Sequence, residues 1–221
     1  MIETSGIISL TIQFIVGIID ILGLNINIPK DKNLFKDLLK LELGVQGVEF
    51  LFYVWMVFNI NKVSNITPYR YYDWLLTTPT MLITLTAYLD KNNYTTLSEF
   101  VKNNKTFLMK ILFANFLMLI FGLLGELKII NYHLGIILGW LPFIYYYKEI
   151  YDKFIKDKNT TSDRKGLFWF FFSTWSLYGV AAFLPYVGKN TMYNILDLFS
   201  KNLLGLILVY IIWKNRIKKE N

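Results

Sequence analysis

Seven long apolar stretches dominate the sequence and restrict what the chain can fold into. Each approaches the roughly 20 residues that a helix needs to cross the hydrocarbon core of a bilayer. In lipid, an open chain can satisfy its backbone polar groups only as helices. The sequence therefore predicts an all-α membrane protein, with residues 1–221 forming one seven-transmembrane-helix bundle. The stretches are Gly6–Leu24, Leu38–Ile60, Tyr69–Leu89, Phe107–Leu127, Ile129–Ile150, Leu167–Val187 and Tyr193–Trp213.

The composition agrees with a membrane class and excludes several kinds of site. Hydrophobic residues make up 54% of the chain, which is high for a soluble domain. There is no cysteine, so disulfides, thiol catalysis and cysteine metal sites are excluded. The single histidine, His133, leaves too few ligands for a transition-metal site. No phosphate-binding loop, nucleophile elbow or histidine-centred catalytic pair is present, so we do not expect an enzyme.

Lysine and arginine are concentrated in alternate loops, and this asymmetry predicts the orientation. The loops after the first, third and fifth stretches are rich in cations, and the tail carries Lys214, Arg216, Lys218 and Lys219. Cations mark cytoplasmic loops, so we expect the N-terminus outside and the C-terminus in the cytoplasm. The net charge of +7 then needs no nucleic-acid partner. The first stretch lacks a basic flank and a cleavage site, so we expect a retained helix.

A lysine near the middle of the last apolar stretch is the first functional candidate. A charge at that depth costs about 2.5–3.5 kcal/mol on insertion scales. Lys201 has two candidate partners: Asp197, four residues earlier on the same helix face, and Asp73 in the third stretch. Taken alone, the lysine fits a structural ion pair or a side chain that reaches the interface as well as it fits a functional site.

A polar stripe runs along the second stretch. Glu42, Gln46 and Glu49 are spaced by four and three residues, which places them on one helix face. Two carboxyls and an amide in a spanning helix are costly unless they face water or partners. Ser9 and Gln13 in the first stretch and Asn202 in the last add uncharged polar groups, which also occur as ordinary contacts between helices.

Taken together, the motifs of the third, sixth and seventh stretches resemble those of the microbial (type 1) rhodopsins. They are Arg70-x-x-Asp73-Trp74-x-x-Thr77-Thr78-Pro79, Trp175-Ser-Leu-Tyr178 and Asp197-x-x-x-Lys201. The resemblance covers nearly the whole chain. It implies a single retinal-binding domain with all-trans retinal as cofactor, held on Lys201 as a protonated Schiff base.

The resemblance also assigns roles around the chromophore. It implies that Asp73 and Asp197 are counterions, with Arg70 and Thr77 beside them. Buried carboxylates next to the nitrogen would keep it charged. The implied pocket residues are Trp74, Thr78, Met118, Gly122, Trp175 and Tyr178, with Asn115 as the partner of Thr78.

The chain departs from the proton pumps of this family in three places. Thr84 stands where outward pumps hold a proton-donating residue, and threonine has no proton to give in that role. The connection around Pro185 has no carboxylate for proton release. Gly179 replaces a helix proline, which puts the family's helix swing in doubt. These departures weaken the proton-pump interpretation.

Three other features resemble channelrhodopsins. Asn202 follows the retinal lysine, Glu42 and Glu49 occupy the second helix, and Ser9 lies where a Ser–Glu–Asn gate would need it. With its short loops, the chain looks most like the first group of viral rhodopsins from giant algal viruses, which are light-gated cation channels. We therefore expect a conducting path lined by Ser9, Glu42, Gln46, Glu49 and Asn202, with Glu49 in the gate and not at the Schiff base.

Other functions and properties stay open at this point. A light-driven outward proton pump is the alternative, and a sensory rhodopsin with a transducer partner is third. The sequence predicts a multi-pass protein of a lipid bilayer, in a host-cell membrane if the gene is viral. It leaves open whether monovalent cations, divalent cations or protons are carried, which wavelength is absorbed, and whether a homo-oligomer forms.

Overall fold

The computed structural model describes residues 1–217, which contain eight α-helices, a short 3-10 turn at Lys30–Lys32 and no β-strand. The tail residues Lys218 and Lys219, used above for the orientation, lie outside the described residues. The helices are α1 (Ile2–Leu24), α2 (Asn33–Asn59), α3 (Thr67–Leu89), α4 (Leu97–Asn103), α5 (Lys105–Glu126), α6 (Tyr132–Phe154), α7 (Ser162–Ala181) and α8 (Tyr186–Lys214).

The seven long helices pack into one bundle, as the apolar stretches predict. Helix α1 packs against α2 and α8, α3 packs against α2 and α5, α5 packs against α6, and α7 packs against α8. Four segments, α1, α5, α8 and Lys30–Asn59, are long and apolar enough to cross a membrane by length and composition. We call the end of the bundle that holds Leu24 and Trp213 the inner end and the opposite end the outer end. Which end faces the cytoplasm stays a prediction.

The helix boundaries differ most from the apolar stretches between the sixth and seventh stretches. The sixth stretch was expected to run to Val187, but α7 ends at Ala181 and α8 starts at Tyr186, directly after Pro185. Proline has no N–H to donate and fits the start of a helix, so the chain turns there although it stays apolar. Helix α8 therefore begins seven residues before the expected Tyr193 and includes polar residues that the hydropathy pattern left in a loop.

The short helix α4 was not expected, because it is too polar and too short to stand out as an apolar stretch. Its start is fixed by Thr96, whose Oγ1 accepts a hydrogen bond from the backbone N–H of Glu99 at 3.3 Å. Such a cap satisfies one of the unpaired N–H groups at a helix start. Phe100 anchors the helix and is fully buried in the main apolar core.

The inner half of the bundle has a dry apolar core, and this core bounds the polar site. Its members include Leu38, Leu39, Leu85, Leu208 and Ile212, all with no exposed surface. Close packing of this kind leaves no room for water. The polar groups described next lie on the outer side of this core and, on α1 and α2, also extend alongside it.

Candidate functional site

Lys201 lies inside the bundle and is surrounded by carboxylates from three helices. Its Nζ atom is 2.5 Å from Oδ2 of Asp73, 3.6 Å from Oδ1 of Asp197 and 3.5 Å from Oε1 of Glu49. The lysine is 2% exposed. Its free ammonium stands in for the protonated nitrogen that the resemblance places here. The two carboxylates expected from the sequence do meet the lysine, and Glu49 joins them as a third.

Arg70 lies on the outer side of this group and is held by polar groups of α8. Its Nη1 is 3.4 Å from Oδ2 of Asp197, its Nε donates to Oδ1 of Asn190 at 3.0 Å, and its Nη2 donates to Oδ1 of Asn194. The arginine has no exposed surface. Asn190 and Asn194 were not predicted from the sequence, although their spacing from Asp197 along one helix face could have pointed to them.

Asp197 is held from both sides by tyrosine hydroxyls. Tyr53 on α2 donates to its Oδ2 at 2.7 Å, and Tyr178 on α7 donates to its Oδ1 at 2.6 Å. These two hydrogen bonds fix the position of the carboxyl group. Tyr178 was expected as a pocket wall. Tyr53 was not singled out, since one tyrosine among many in this chain carries no signal.

The charges around the lysine do not balance. Two cationic side chains, Lys201 and Arg70, face three carboxylates, on Asp73, Asp197 and Glu49. An unpaired buried charge is costly. Neither carboxyl oxygen of Glu49 makes a hydrogen bond within the described residues. Glu49 is therefore the least firmly held of the three carboxylates.

The expected Ser9–Glu49–Asn202 gate is not closed by hydrogen bonds in this structure. Ser9 Oγ donates to the backbone carbonyl of Asn194 at 2.8 Å, and Asn202 Oδ1 accepts from Nε2 of Gln46 at 2.8 Å. Glu49 lies instead beside the Lys201 ammonium, which attracts it. This position differs from the expectation that Glu49 lies in the gate and not at the Schiff base. The three residues do lie in the same interior, because all are buried on α1, α2 and α8.

A large apolar cavity opens next to Lys201. It contains about 830 Å³ not filled by protein atoms, its open mouth included. Pockets of a few hundred to a thousand Å³ suit ligands of drug size. All six expected pocket residues line it together with Lys201: Trp74, Thr78, Met118, Gly122, Trp175 and Tyr178. An apolar cavity with one lysine amine fits an apolar carbonyl compound of retinal's class, which can condense with that amine.

Aromatic rings shape the wall of the cavity on the side of the carboxylates. Trp74 meets Tyr178 and Tyr193 edge-to-face, at centroid distances of 5.7 Å and 5.2 Å. The expected contact between Asn115 and Thr78 is present, with Nδ2 of Asn115 donating to Oγ1 of Thr78 at 2.8 Å. Such edge-to-face pairs and buried hydrogen bonds hold the wall in one arrangement.

Close packing against Trp140 explains why position 179 is a glycine. A Cβ atom at position 179 would lie 2.6 Å from Cζ2 of Trp140, which also lines the cavity. The missing side chain lets the indole of α6 approach the backbone of α7. The residue that replaces the family's proline therefore sets the shape of the cavity wall.

A file of polar groups extends from the lysine toward the inner end. Of the fourteen buried side-chain nitrogen and oxygen atoms without a hydrogen-bond partner in residues 1–217, nine belong to α1 and α2. They are on Gln13, Asp20, Glu42, Gln46 and Glu49. Asp20 was not predicted from the sequence, because a carboxylate close to the end of an apolar stretch usually lies at the membrane interface. Here it has no exposed surface.

Comparisons with known proteins agree with this geometry. A sequence profile of the family described as "Bacteriorhodopsin-like protein" matches residues 4–215. The chain is 28% identical to the green-light absorbing proteorhodopsin of Gamma-proteobacterium EBAC31A08 over 193 residues, 80% of this chain and 72% of that protein.

Solved structures show the same fold. The viral rhodopsin OLPVRII superposes with a TM-score of 0.84 at 27% identity, over 96% of this chain and 98% of that one. The proton pumping rhodopsin AR2 from the marine alga Acetabularia acetabulum gives a TM-score of 0.77 at 18% identity, over 96% of each chain. The family match spans nearly the whole chain, and the buried lysine, its carboxylates and the apolar cavity lie within it. The protein is therefore a multi-pass membrane protein that belongs to the bacteriorhodopsin-like family, the microbial (type 1) rhodopsins, whose chromophore is retinal.

Proposed function

We propose that this protein is a light-gated cation channel that carries all-trans retinal on Lys201. The observation that carries the proposal is the file of buried polar groups without partners between Lys201 and the inner end. A buried polar group without a partner is costly, so such groups normally face water or an ion. A pump that moves one proton per cycle needs only a few titratable groups that pass the proton on, whereas a channel needs a continuous polar path.

The residues around Lys201 suit the chromophore part of this function. When bound, retinal supplies absorption of visible light and a change of shape. Lys201 anchors it, and Asp73 at 2.5 Å neutralises the positive charge on the lysine nitrogen. Trp74 and Trp175 confine the cavity, so a change of shape inside it presses on the helices. Apolar walls also exclude water from the nitrogen.

A direct contact couples the lysine to the polar file. Nε2 of Gln46 donates to the backbone carbonyl of Lys201 at 3.2 Å and to Oδ1 of Asn202 at 2.8 Å. A displacement of α8 at the lysine would strain both hydrogen bonds and pull on α2. The stripe of Glu42, Gln46 and Glu49 lies on the same face of α2, so this movement would open space for water along it. Carboxylates on the path would favour cations over anions.

The dry core at the inner end suits a channel that is closed in the dark. A Cβ atom on Gly23 would lie 2.7 Å from Val209 and 3.1 Å from Leu39, so α1, α2 and α8 meet tightly there. Apolar constrictions gate by excluding water. Conduction would require α8 or α2 to separate from α1 at this level.

An outward proton pump is the second candidate, and one observation favours it. The short contact between Lys201 and Asp73, with Oγ1 of Thr77 donating to the backbone carbonyl of Asp73 at 2.9 Å, would suit transfer of a proton to Asp73. Against a pump stands Thr84, whose hydroxyl donates to the carbonyl of Thr80 at 3.2 Å and has no titratable proton to return.

Voltage-clamp recording of photocurrents separates the two functions. The full-length protein is expressed in a host cell with retinal, and current under illumination is measured over a range of voltages. A channel gives a photocurrent whose sign reverses, at a potential that follows the cation gradient. Outward current that never reverses over the accessible voltages would overturn the channel and favour the pump.

A further inference from the structure

Two buried carboxylates from neighbouring helices lie near each other at the inner end of the polar file. Asp20 on α1 and Glu42 on α2 have no exposed surface, and none of their four carboxyl oxygens has a hydrogen-bond partner within the described residues. One turn further inward their helices meet, because a Cβ atom on Gly23 would lie 3.1 Å from Leu39, and at this level the two carboxyl groups interact electrostatically. Neither touches Lys201, whose ion pairs are with other carboxylates. The pair is therefore separate from the chromophore site.

Helix α8 leaves a recess for the carboxyl group of Asp20. A Cβ atom at Gly205 would lie 2.7 Å from Oδ2 and 3.1 Å from Oδ1 of Asp20. The carboxyl group thus rests against bare backbone, where any larger residue would displace it. Opposite, the hydroxyl of Thr84 on α3 lies beside the carboxyl of Glu42, but it donates its hydrogen bond to the backbone carbonyl of Thr80 at 3.2 Å. The two carboxyl groups therefore lie among groups of four helices, α1, α2, α3 and α8.

The pair has no compensating positive side chain among residues 1–217. The ion pairs of the described residues include no cationic side chain on Asp20 or Glu42. Two buried carboxylates without a positive partner are strongly disfavoured. Either protonation or a positive charge from outside the protein would relieve that cost, and the experiment below distinguishes the two.

The donor set indicates which cation would fit. Residues 1–217 hold no group of three or more histidine, cysteine, aspartate or glutamate side chains placed to bind a metal ion. Calcium takes six to eight oxygen ligands, and magnesium demands octahedral geometry. Two carboxylates with a hydroxyl nearby suit a weakly held monovalent cation. Weak binding is what a conducting path needs, since the ion must leave again.

We propose that Asp20 and Glu42 form a binding site for a monovalent cation at the inner end of the conducting path. The inference rests on the proposed channel function for its role in conduction, but the binding site itself can be tested without it. The site lies directly above the apolar constriction at Gly23, Leu39 and Val209. An ion held there is the first to cross when the constriction opens inward.

Infrared spectroscopy on the purified, retinal-reconstituted protein tests binding in the dark. Sodium ions are exchanged for N-methyl-D-glucamine at constant pH, and the carboxylate stretching bands are followed. The wild type should show a sodium-dependent band. In Asp20→Asn and Glu42→Gln the band should be lost, or its half-saturating sodium concentration should rise about tenfold, which corresponds to about 1.4 kcal/mol. Glu3→Gln, which removes an exposed carboxylate from the same helix, should leave the band unchanged.

Gly205→Ala tests the geometry, because it displaces the carboxyl group of Asp20 without removing its charge. It should weaken sodium binding, as Asp20→Asn does. The visible absorption band reports that each variant is folded, and it should stay in place because the site does not touch Lys201. If Gly205→Ala fails to fold, the two isosteric substitutions still decide the question.

Several results would overturn the site. One is the absence of any sodium-dependent band in the wild type. Another is a sodium-dependent band whose half-saturating sodium concentration is unchanged in both Asp20→Asn and Glu42→Gln. Loss of a protonated-carboxyl band in the variants, without sodium dependence, would assign the pair to proton storage and also overturn it. Photocurrents are recorded in parallel. A wild-type current that never reverses would refute the channel alone, since the infrared result still decides whether sodium binds.

Discussion

Glu49 Oε1 lies 3.5 Å from Nζ of Lys201, although the two residues are on different helices. This contact adds a third carboxylate to the two that the resemblance led us to expect. It links the stripe on α2 directly to the chromophore lysine. A movement of Lys201 therefore acts on the polar file directly, without an intermediate residue.

The first prediction concerns the attachment of the chromophore. Lys201→Ala removes the amine that lines the apolar cavity, so no visible absorption band should appear after retinal is added. The measurement is an absorption spectrum of the purified protein. Lys62→Ala, which changes an exposed lysine at the outer end, is the matched control and should keep the band. A visible band in the Lys201 variant would refute the assignment.

The second prediction concerns Asp73. Asp73→Asn removes the anion closest to the lysine nitrogen, at 2.5 Å. The protonated chromophore loses stabilisation in its ground state, so its band should move to the red, and part of the protein should lose the visible band. Asp31→Asn, at an exposed position in the first loop, should leave the spectrum unchanged. If Asp73→Asn also leaves the spectrum unchanged, another carboxylate is the main counterion.

The third prediction concerns Glu49 and revises the expectation from sequence. Because its carboxyl lies beside Lys201, Glu49→Gln should shift the visible band in the same direction as Asp73→Asn. The shift should be smaller, since Glu49 is 3.5 Å away and Asp73 is 2.5 Å away. Photocurrent amplitude should change as well, because the residue also belongs to the polar file. An unchanged spectrum together with altered current would instead restore the original expectation of a gate residue.

The fourth prediction concerns a buried ion pair at the outer end. Nζ of Lys189 is 2.6 Å from Oε1 of Glu126, with side chains 8% and 5% exposed. Glu126→Gln leaves a buried ammonium unpaired and should destabilise the protein by about 3–5 kcal/mol. Adding Lys189→Met should recover much of that loss. Denaturant titration of the visible band measures both, and additive losses in the double variant would show that the pair is not coupled.

The fifth prediction concerns pH and an ion pair before the apolar part of α7. Partial burial raises the pKa of Asp163, but hydrogen bonds with Lys91 and Thr161 outweigh it and lower the pKa to about 2. A lowered pKa stabilises the folded state above the ordinary carboxyl value of about 3.9 and loses that effect as the pH falls toward 2.

The Asp163 carboxylate is 48% exposed, so solvent screening should limit its contribution to about 1 kcal/mol or less. The measurement is the stability difference between wild type and Asp163→Asn from neutral to acid pH. That difference should be present at neutral pH and vanish as the pH falls from about 4 to about 2. A difference that stays constant over this range would exclude the ion pair as its source.

The sequence by itself determined the seven helices, because bilayer thickness dictates the length of an apolar stretch and lipid dictates the helix. It also determined the meeting of Lys201 with Asp73 and Asp197, since a buried lysine requires anionic partners and the motifs named them. It did not place the start of α8, because the first turns of that helix carry polar residues such as Lys189 and Asn190, which the hydropathy pattern assigns to a loop.

Only the tertiary structure decided which polar groups of different helices meet. The carboxylate of Glu49 lies beside Lys201 and not beside Ser9. The reason is that a carboxylate is attracted more strongly by an ammonium group than by a hydroxyl group. Asp20 and Glu42 came together because α1 packs against α2 and bare backbone at Gly205 leaves space for a carboxyl group. Such contacts depend on the rotation of each helix about its axis, which the packing of the whole bundle sets and no single stretch encodes.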